Sequence, residues 1–299
     1  MGQTAEWHER RRQGLGGSDM AAVAGVSRYK TALDVWAEKT GRMAPQEAGE
    51  AAYWGTQLEP LVAAWFAEQT GAQVRRRSRL VVDKARPYLI GNVDREVTMP
   101  DGRRGILEVK CSGRASEWAD GGVPDAAAIQ LQHYLGVSGR AWGWVAVLLR
   151  GNEGRIVEAP RDEALIASLR GLAAEFWPYV ERDECPPAER WGGSARAAAS
   201  LYPEATADEV ELPALAEDLI RQYEEARAAS DAAAEAKDQA ATALKLLLRE
   251  HGAGRLGERV VRWATVRRRE FDSAAFKAAH PDTYAAFTKE LTLRRFSIH

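Results

Sequence analysis

Between Tyr88 and Cys111 the chain reads YLIGNVDREVTMPDGRRGILEVKC, and this stretch restricts the fold more than any other. Two runs of alternating apolar residues flank Pro-Asp-Gly, the chemistry of a tight turn, so a β-hairpin is expected. With the turn centred on Asp101, cross-strand partners have residue numbers that sum to 202, which sets Asp94 opposite Glu108. Side chains alternate faces along a strand, so Glu108 and Lys110 share one side while Leu107 and Val109 share the other. Asp94, Glu108 and Lys110 therefore converge. Carboxylates gathered at one point repel unless one is protonated or a cation lies between them. A hard divalent ion with oxygen ligands, Mg²⁺ above all, resolves the conflict, and a neighbouring lysine can then orient an attacking water or steady charge on a phosphate. The plainer reading of Glu-x-Lys on one strand face is a surface salt bridge.

Three further segments bear on that choice. YWGTQLEPLVAAWFAEQTG places Glu59 near the start of an amphipathic helix, where it could reach the same ion or serve only as the far half of a Thr56-x-x-Glu59 capping box. AIQLQHYLG puts Gln130 and Tyr134 on one face of a helix, with Gln132 to one side. A neutral amide and a phenol suit a phosphate or a water, or are simply the polar flank of a half-buried helix. EWHERRRQGLGGSDMAAVAG sets basic residues before a glycine-rich turn that opens a helix at Ser18 or Asp19. Ser18 as cap, with an arginine nearby, would make a phosphate pocket, although ordinary helices start with the same grammar. No Gly-Lys-Ser/Thr follows, which excludes a nucleoside-triphosphate loop.

Helical periodicity in SDMAAVAGV, TALDVWAEKTG and QLEPLVAAWFAEQTG precedes strand-like RLVVD, YLIGNVDREVTM and RGILEVKC. A helix over PDAAAIQLQHYLGVSG follows, then strands AWGWVAVLLR and GRIVEAP and a further helix. This order describes an α/β domain over residues 1–183, with a central mixed sheet flanked by helices. Residues 184–213, rich in Pro, Gly and acidic side chains, read as a linker. Beyond it, 214–299 begins with one long helix and ends in a small α+β tail. The apolar stripe of that helix (Leu215, Leu219, Tyr223, Ala226, Ala233, Ala240, Leu244, Leu247, Leu248) is thin in the middle. It calls for a partner surface, either a second copy or the first domain.

The formal charge of −2 rules out a general polycation, so affinity for nucleic acid must come from local runs such as 10–12, 75–79, 267–269 and 294–295, each of which also reads as a solvated face. Two cysteines make neither a disulfide framework nor a cysteine-rich metal cluster. With no long apolar run and no leader pattern at Met1, a cytoplasmic protein without a membrane span is expected.

The ordered set WHERRRQGLGGSD, WGTQLEP, GNVDRE, LEVKC and QLQHY resembles the YqaJ-like viral recombinase family, phage-type relatives of lambda exonuclease within the PD-(D/E)XK nucleases. The likeness spans about residues 7 to 150, and the tail resembles an extension carried by many members. It implies a restriction-endonuclease-like core and a 5′→3′ exonuclease that acts on double-stranded DNA ends. The 3′ single strand it leaves would pass to a single-strand annealing protein. Asp94, Glu108 and the main-chain carbonyl of Val109 would bind Mg²⁺, for which Mn²⁺ can substitute. Lys110 would handle the water, and Glu59 would assist from its helix. Arg11 and Ser18, at the family's spacing from Trp7 and His8, would grip the 5′-terminal phosphate. Gln130 and Gln132 would touch the substrate, and Tyr134 completes a Gln-x-x-x-Tyr pattern. The chain departs from the lambda-type pattern at Asn92, where a serine is expected. An endonuclease or flap nuclease on the same core, and a non-catalytic DNA-binding scaffold, are the competing readings.

Overall fold

The computed structural model describes residues 5–45, 49–77, 80–290 and 294–298, without the side chains of 5–8 and 120. The side chains of Trp7 and His8, and Ser78 and Arg79 of the basic run at 75–79, lie outside the described residues. The chain divides into two units, Met1–Pro203 and Glu204–His299.

In the first unit α1 (Ala5–Arg12), α2 (Gly17–Val23), α3 (Ala32–Lys39) and α4 (Glu50–Thr70) come first. Then follow β1 (Gln73–Arg76), β2 (Val81–Val82), β3 (Ile90–Gly91), β4 (Arg95–Thr98) and β5 (Arg104–Ser112). A 3₁₀ turn, Ala115–Gly121, leads to α5 (Asp125–Ser138), β6 (Trp142–Leu149), β7 (Glu153–Pro160) and α6 (Glu163–Glu181). Short α7 (Ala188–Trp191) and α8 (Ala195–Leu201) close the unit.

The sheet has the order β1-β4-β5-β6-β7. It is antiparallel except between β5 and β6, which are parallel because α5 carries the chain back across the sheet. The β4–β5 hairpin has the expected register, with Arg95 opposite Leu107 and Thr98 opposite Arg104. Gly105 permits the close approach of β5 to β6, since a Cβ there would lie 2.1 Å from the Trp142 carbonyl oxygen.

Alternation along β5 sends its two faces into different cores. Leu107 and Val109 pack with Trp144, Ala146 and the α4 residues Val62, Ala63 and Phe66. Ile106 packs with Val145, Val147 and the α5 residues Leu131 and Leu135. Glu108 lies on the second face, under α5, at only 2% exposure. A third cluster, including Met20, Trp36, Phe176 and Trp191, binds α2, α3 and α6 together.

Several expectations need correction. The strand read over 88–99 breaks into β3 and β4, which leaves Asp94 in the gap. The basic run at 75–79 begins inside β1, which pairs with β4 at the sheet edge and leaves Arg75 and Arg76 both exposed. The α4 helix starts at Glu50, so Thr56 and Glu59 are mid-helix and Thr56 Oγ1 donates to the Ala52 carbonyl at 3.0 Å; the capping box does not form. Of the segment read as a linker, α7 and α8 fold into the first unit through the buried Trp191 and Ala197.

The second unit begins with α9 (Leu215–Leu248), about 51 Å long at 1.5 Å per residue. Leu215, Leu219, Tyr223 and Leu244 on its stripe are exposed, and Leu248 is buried. A hairpin of β8 (Ala253–Leu256) and β9 (Arg259–Arg262) follows. Beyond it lie two short helices, α10 (Ser273–Ala279) and α11 (Pro281–Ala286), separate because Pro281 has no N–H with which to continue the first. Tyr223 meets Phe296 edge-on with ring centroids 5.4 Å apart. Among the described residues no helix is long and apolar enough to cross a membrane.

Candidate active site

The loop between α1 and α2 is tied to the start of β3 by a main-chain bridge. Leu15 N–H donates to the Tyr88 carbonyl at 2.7 Å, and Ile90 N–H donates to the Leu15 carbonyl at 3.0 Å. Gly17 then sits against α5, where a Cβ would lie 2.6 Å from Gln130 Cγ and 3.0 Å from the Tyr134 ring. This packing gathers the RRRQGLGGSD segment, the Asp94 gap, β5 and α5 around one point.

At that point Glu108 Oε1 accepts from Lys110 Nζ at 2.7 Å and from Gln130 Nε2 at 2.7 Å. Lys110 Nζ also donates to Gln130 Oε1 at 2.9 Å, which closes a triangle, and Gln130 Nε2 reaches the Tyr134 hydroxyl at 3.2 Å. Asp94 Oδ2 accepts from the Val109 N–H at 3.1 Å, so its carboxylate lies beside the strand step that carries Glu108. Glu108 Oε2 is buried with no hydrogen-bond partner.

The charges are out of balance. Burial first, then the negative charge of Glu108, pushes the Asp94 carboxyl well above the usual carboxylate range; Glu59 adds to this, while the Val109 N–H and Lys110 oppose it. Burial works against a charged Lys110, but Glu108 and Asp94 outweigh it and raise the pKa. These two carboxylates therefore hold Lys110 as an ammonium donor. Burial, Glu108 and Asp94 also raise Tyr134, which stays a neutral phenol.

An orphaned buried oxygen on Glu108 and an Asp94 that resists ionisation both fit an oxygen-ligated divalent cation. Among the described residues no three His, Cys, Asp or Glu side chains close on one point. Such an ion would thus take two carboxylates, Asp94 and Glu108, and complete its shell from the main chain and water, as Mg²⁺ commonly does.

Other expected residues fall out differently. Glu59 forms an ion pair with Arg95 at 2.5 Å, and the buried Arg95 also donates to the Asp94 carbonyl at 2.8 Å. Glu59 therefore acts on the site through charge and through Arg95. Gln132 stands apart from these residues. Its Nε2 donates to the Pro160 carbonyl at 2.8 Å and its Oε1 accepts from the Asp162 N–H at 2.9 Å, so both ends hold the β7–α6 junction. Position 132 is two residues from Gln130 and so points to another side of the helix. Asn92 is exposed in the same gap as Asp94.

Ser18 is exposed and is not the cap of α2. Gly16 takes that place, and its N–H donates to Asp19 Oδ2 at 3.1 Å. Arg11 Nη2 lies 3.3 Å from Ser18 Oγ and 3.4 Å from Asp19 Oδ1. Asp19, named above only as a possible helix start, gathers Lys30 and Lys39. Asp19 is fully buried and accepts from Lys30 Nζ at 2.6 Å and Lys39 Nζ at 2.7 Å. Burial alone would raise its pKa, but Lys39, Lys30 and Arg11 together hold it well below the usual carboxylate range. Aspartate at the third helical position signals a cap; nothing local points to lysines 11 and 20 residues away.

The family description YqaJ-like viral recombinase domain matches residues 6–141. Protein YqaJ of Bacillus subtilis (strain 168) is 31% identical over 304 residues, which take in 98% of this chain and 93% of that one. The alkaline exonuclease LHK-Exo from Laribacter hongkongensis has the same fold, with a TM-score of 0.52 and 23% identity over 60% of this chain and 94% of its own. The structure of LHK-Exo in complex with dAMP gives the same values. The site and the hairpin that builds it lie within the matched residues, and the chain belongs to the YqaJ-like viral recombinase family.

Proposed function

We propose that the chain is a Mg²⁺-dependent deoxyribonuclease that degrades one strand of double-stranded DNA from a 5′ end and leaves a 3′ single strand. The observation that carries this reading is the partnerless, buried Glu108 Oε2 beside Asp94, Lys110 and Gln130. Asp94, Glu108 and the Val109 carbonyl would hold the ion, with Mn²⁺ able to substitute. When bound, it supplies Lewis acidity and lowers the pKa of water.

The side chains supply position and charge. Lys110, kept as an ammonium by Glu108, orients a water or a phosphate oxygen by donating to it. Gln130 bridges Glu108 and Tyr134 and fixes Lys110. Arg95 neutralises Glu59 and steadies the Asp94 main chain. Arg11 and Ser18 would hold the terminal 5′-phosphate, with Arg11 set in place by Asp19. A fixed end selects which phosphodiester meets the carboxylates, and so favours an exonuclease over an endonuclease. In the proposed setting the 3′ strand passes to a single-strand annealing protein in the cytoplasm of a phage-infected host.

Linear duplexes with 5′-phosphate or 5′-hydroxyl ends, and closed circles, are incubated with the protein and Mg²⁺. Phosphorylated ends should be resected fastest, circles should survive, and Lys110→Ala should abolish resection with the fold intact. Equal cutting of circles would favour an endonuclease. DNA binding without cutting would favour a scaffold.

A further inference from the structure

The second unit segregates its charge. Residues 204–238 hold 11 Asp+Glu against 3 Lys+Arg, whereas 239–299 hold 6 against 12. The basic excess peaks from Arg255 to Arg269, a stretch whose one acidic residue is Glu258. Arg255, Arg259, Arg262, Arg267 and Arg269 have no acidic partner among the described residues, and Arg268 pairs with Glu270 at 3.1 Å. Every residue of β9 is exposed.

Aromatic rings are interleaved with these cations. Trp263 is 51% exposed and Phe271 is 68% exposed. A two-stranded ribbon is marginal alone, and α9 supplies its anchor. Leu248 is buried beneath Gly254, where a Cβ would lie 2.7 Å from Leu248 Cδ2, and the Trp263 N–H donates to the Gly252 carbonyl at 2.9 Å. The Lys245 ammonium lies 5.9 Å from the centre of the Trp263 ring.

The arginines select a polyanion. The exposed rings select one whose charged backbone carries flat apolar groups free to stack. Single-stranded DNA answers to both, because its bases are unstacked and its phosphates are regularly spaced. Duplex DNA hides the faces of its bases, and an acidic protein surface satisfies the arginines but leaves uncovered the Trp263 ring and the exposed part of Phe271, whose ring also meets Phe276 at 5.1 Å. We infer that the β8–β9 hairpin and the strap that follows it, from Arg255 to Phe271, form a binding surface for single-stranded DNA. This surface stands independently of the nuclease reading; under that reading, the strand it holds is the one that resection leaves.

The test uses the full chain in EDTA, so that no hydrolysis occurs, and a fluorescein-labelled oligodeoxythymidine titrated by anisotropy across a range of KCl. Trp263→Ala and Phe271→Ala should each weaken binding roughly tenfold, the scale of one base–aromatic stack. Trp263→Phe should keep most of the affinity, which separates ring loss from a disturbed hairpin. Arg262→Ala/Arg267→Ala/Arg269→Ala should make the slope of log K against log salt shallower by about 2. The ring variants should resect phosphorylated duplex at the wild-type initial rate. The inference is overturned if the oligonucleotide does not bind, if these variants bind it like wild type, or if an abasic strand binds as tightly as oligodeoxythymidine. Failure of the wild type to resect duplex would instead count against the nuclease reading and leave this one standing.

Discussion

Replacing Asp19 should destabilise the first unit more than any other exchange in the polar network around the site. Its carboxylate is 0% exposed and meets Lys30, Lys39, Arg11 and the Gly16 N–H. Lys39 has a side chain only 4% exposed, and burial lowers its pKa in spite of Asp19. Asp19→Ala leaves that ammonium without its counter-ion in a nearly dry site, a change that typically costs about 3–5 kcal/mol. For a unit of this size each kcal/mol moves Tm by about 2–4 °C, so a fall of roughly 6–20 °C is expected. Urea unfolding followed by tryptophan fluorescence measures the change, read as a lower midpoint at constant slope. Asp19→Ala/Lys39→Met removes both charges and should recover most of the loss. Folding lowers the Asp19 pKa, so its contribution is complete above the unfolded value of about 3.9 and is lost as pH falls through the lower folded value. The acid limb of the stability curve should be shallower in Asp19→Asn. A midpoint within about 1 kcal/mol of wild type for Asp19→Ala, or no rescue by Lys39→Met, would refute the argument.

The remaining expectations concern the site itself. Asp94→Asn should stabilise the metal-free protein by about 1–3 kcal/mol while removing both activity and the Mg²⁺-induced rise in Tm. In the wild type, a folded Asp94 pKa above the unfolded one means that metal-free stability falls as pH rises through that interval, and Asp94→Asn should flatten this limb. Gly17→Val overpacks the contact with Gln130 and Tyr134; about 1–3 kcal/mol should be lost, with kcat falling more than KM rises. Gln132→Ala strands the Pro160 carbonyl and the Asp162 N–H, so unfolding measurements should show a loss of about 1–3 kcal/mol with kcat near wild type below the transition.

The sequence by itself determined the hairpin, its register and the face that carries Glu108 and Lys110, because turn chemistry and the two-residue strand period act within a few positions. The period of a helix likewise put Gln130 and Tyr134 together and turned Gln132 to one side. Tertiary structure decided what no local pattern encodes. The bridge from Leu15 to Leu89 sets the α1–α2 loop against β3, and Gly17 packs on Gln130 and Tyr134. Arg95 takes Glu59 for itself, and Asp19 collects Lys30 and Lys39 from separate elements. Such pairings depend on which faces are buried against one another. A charge taken out of water must find a partner among whatever side chains the packing brings near, however far along the chain they lie.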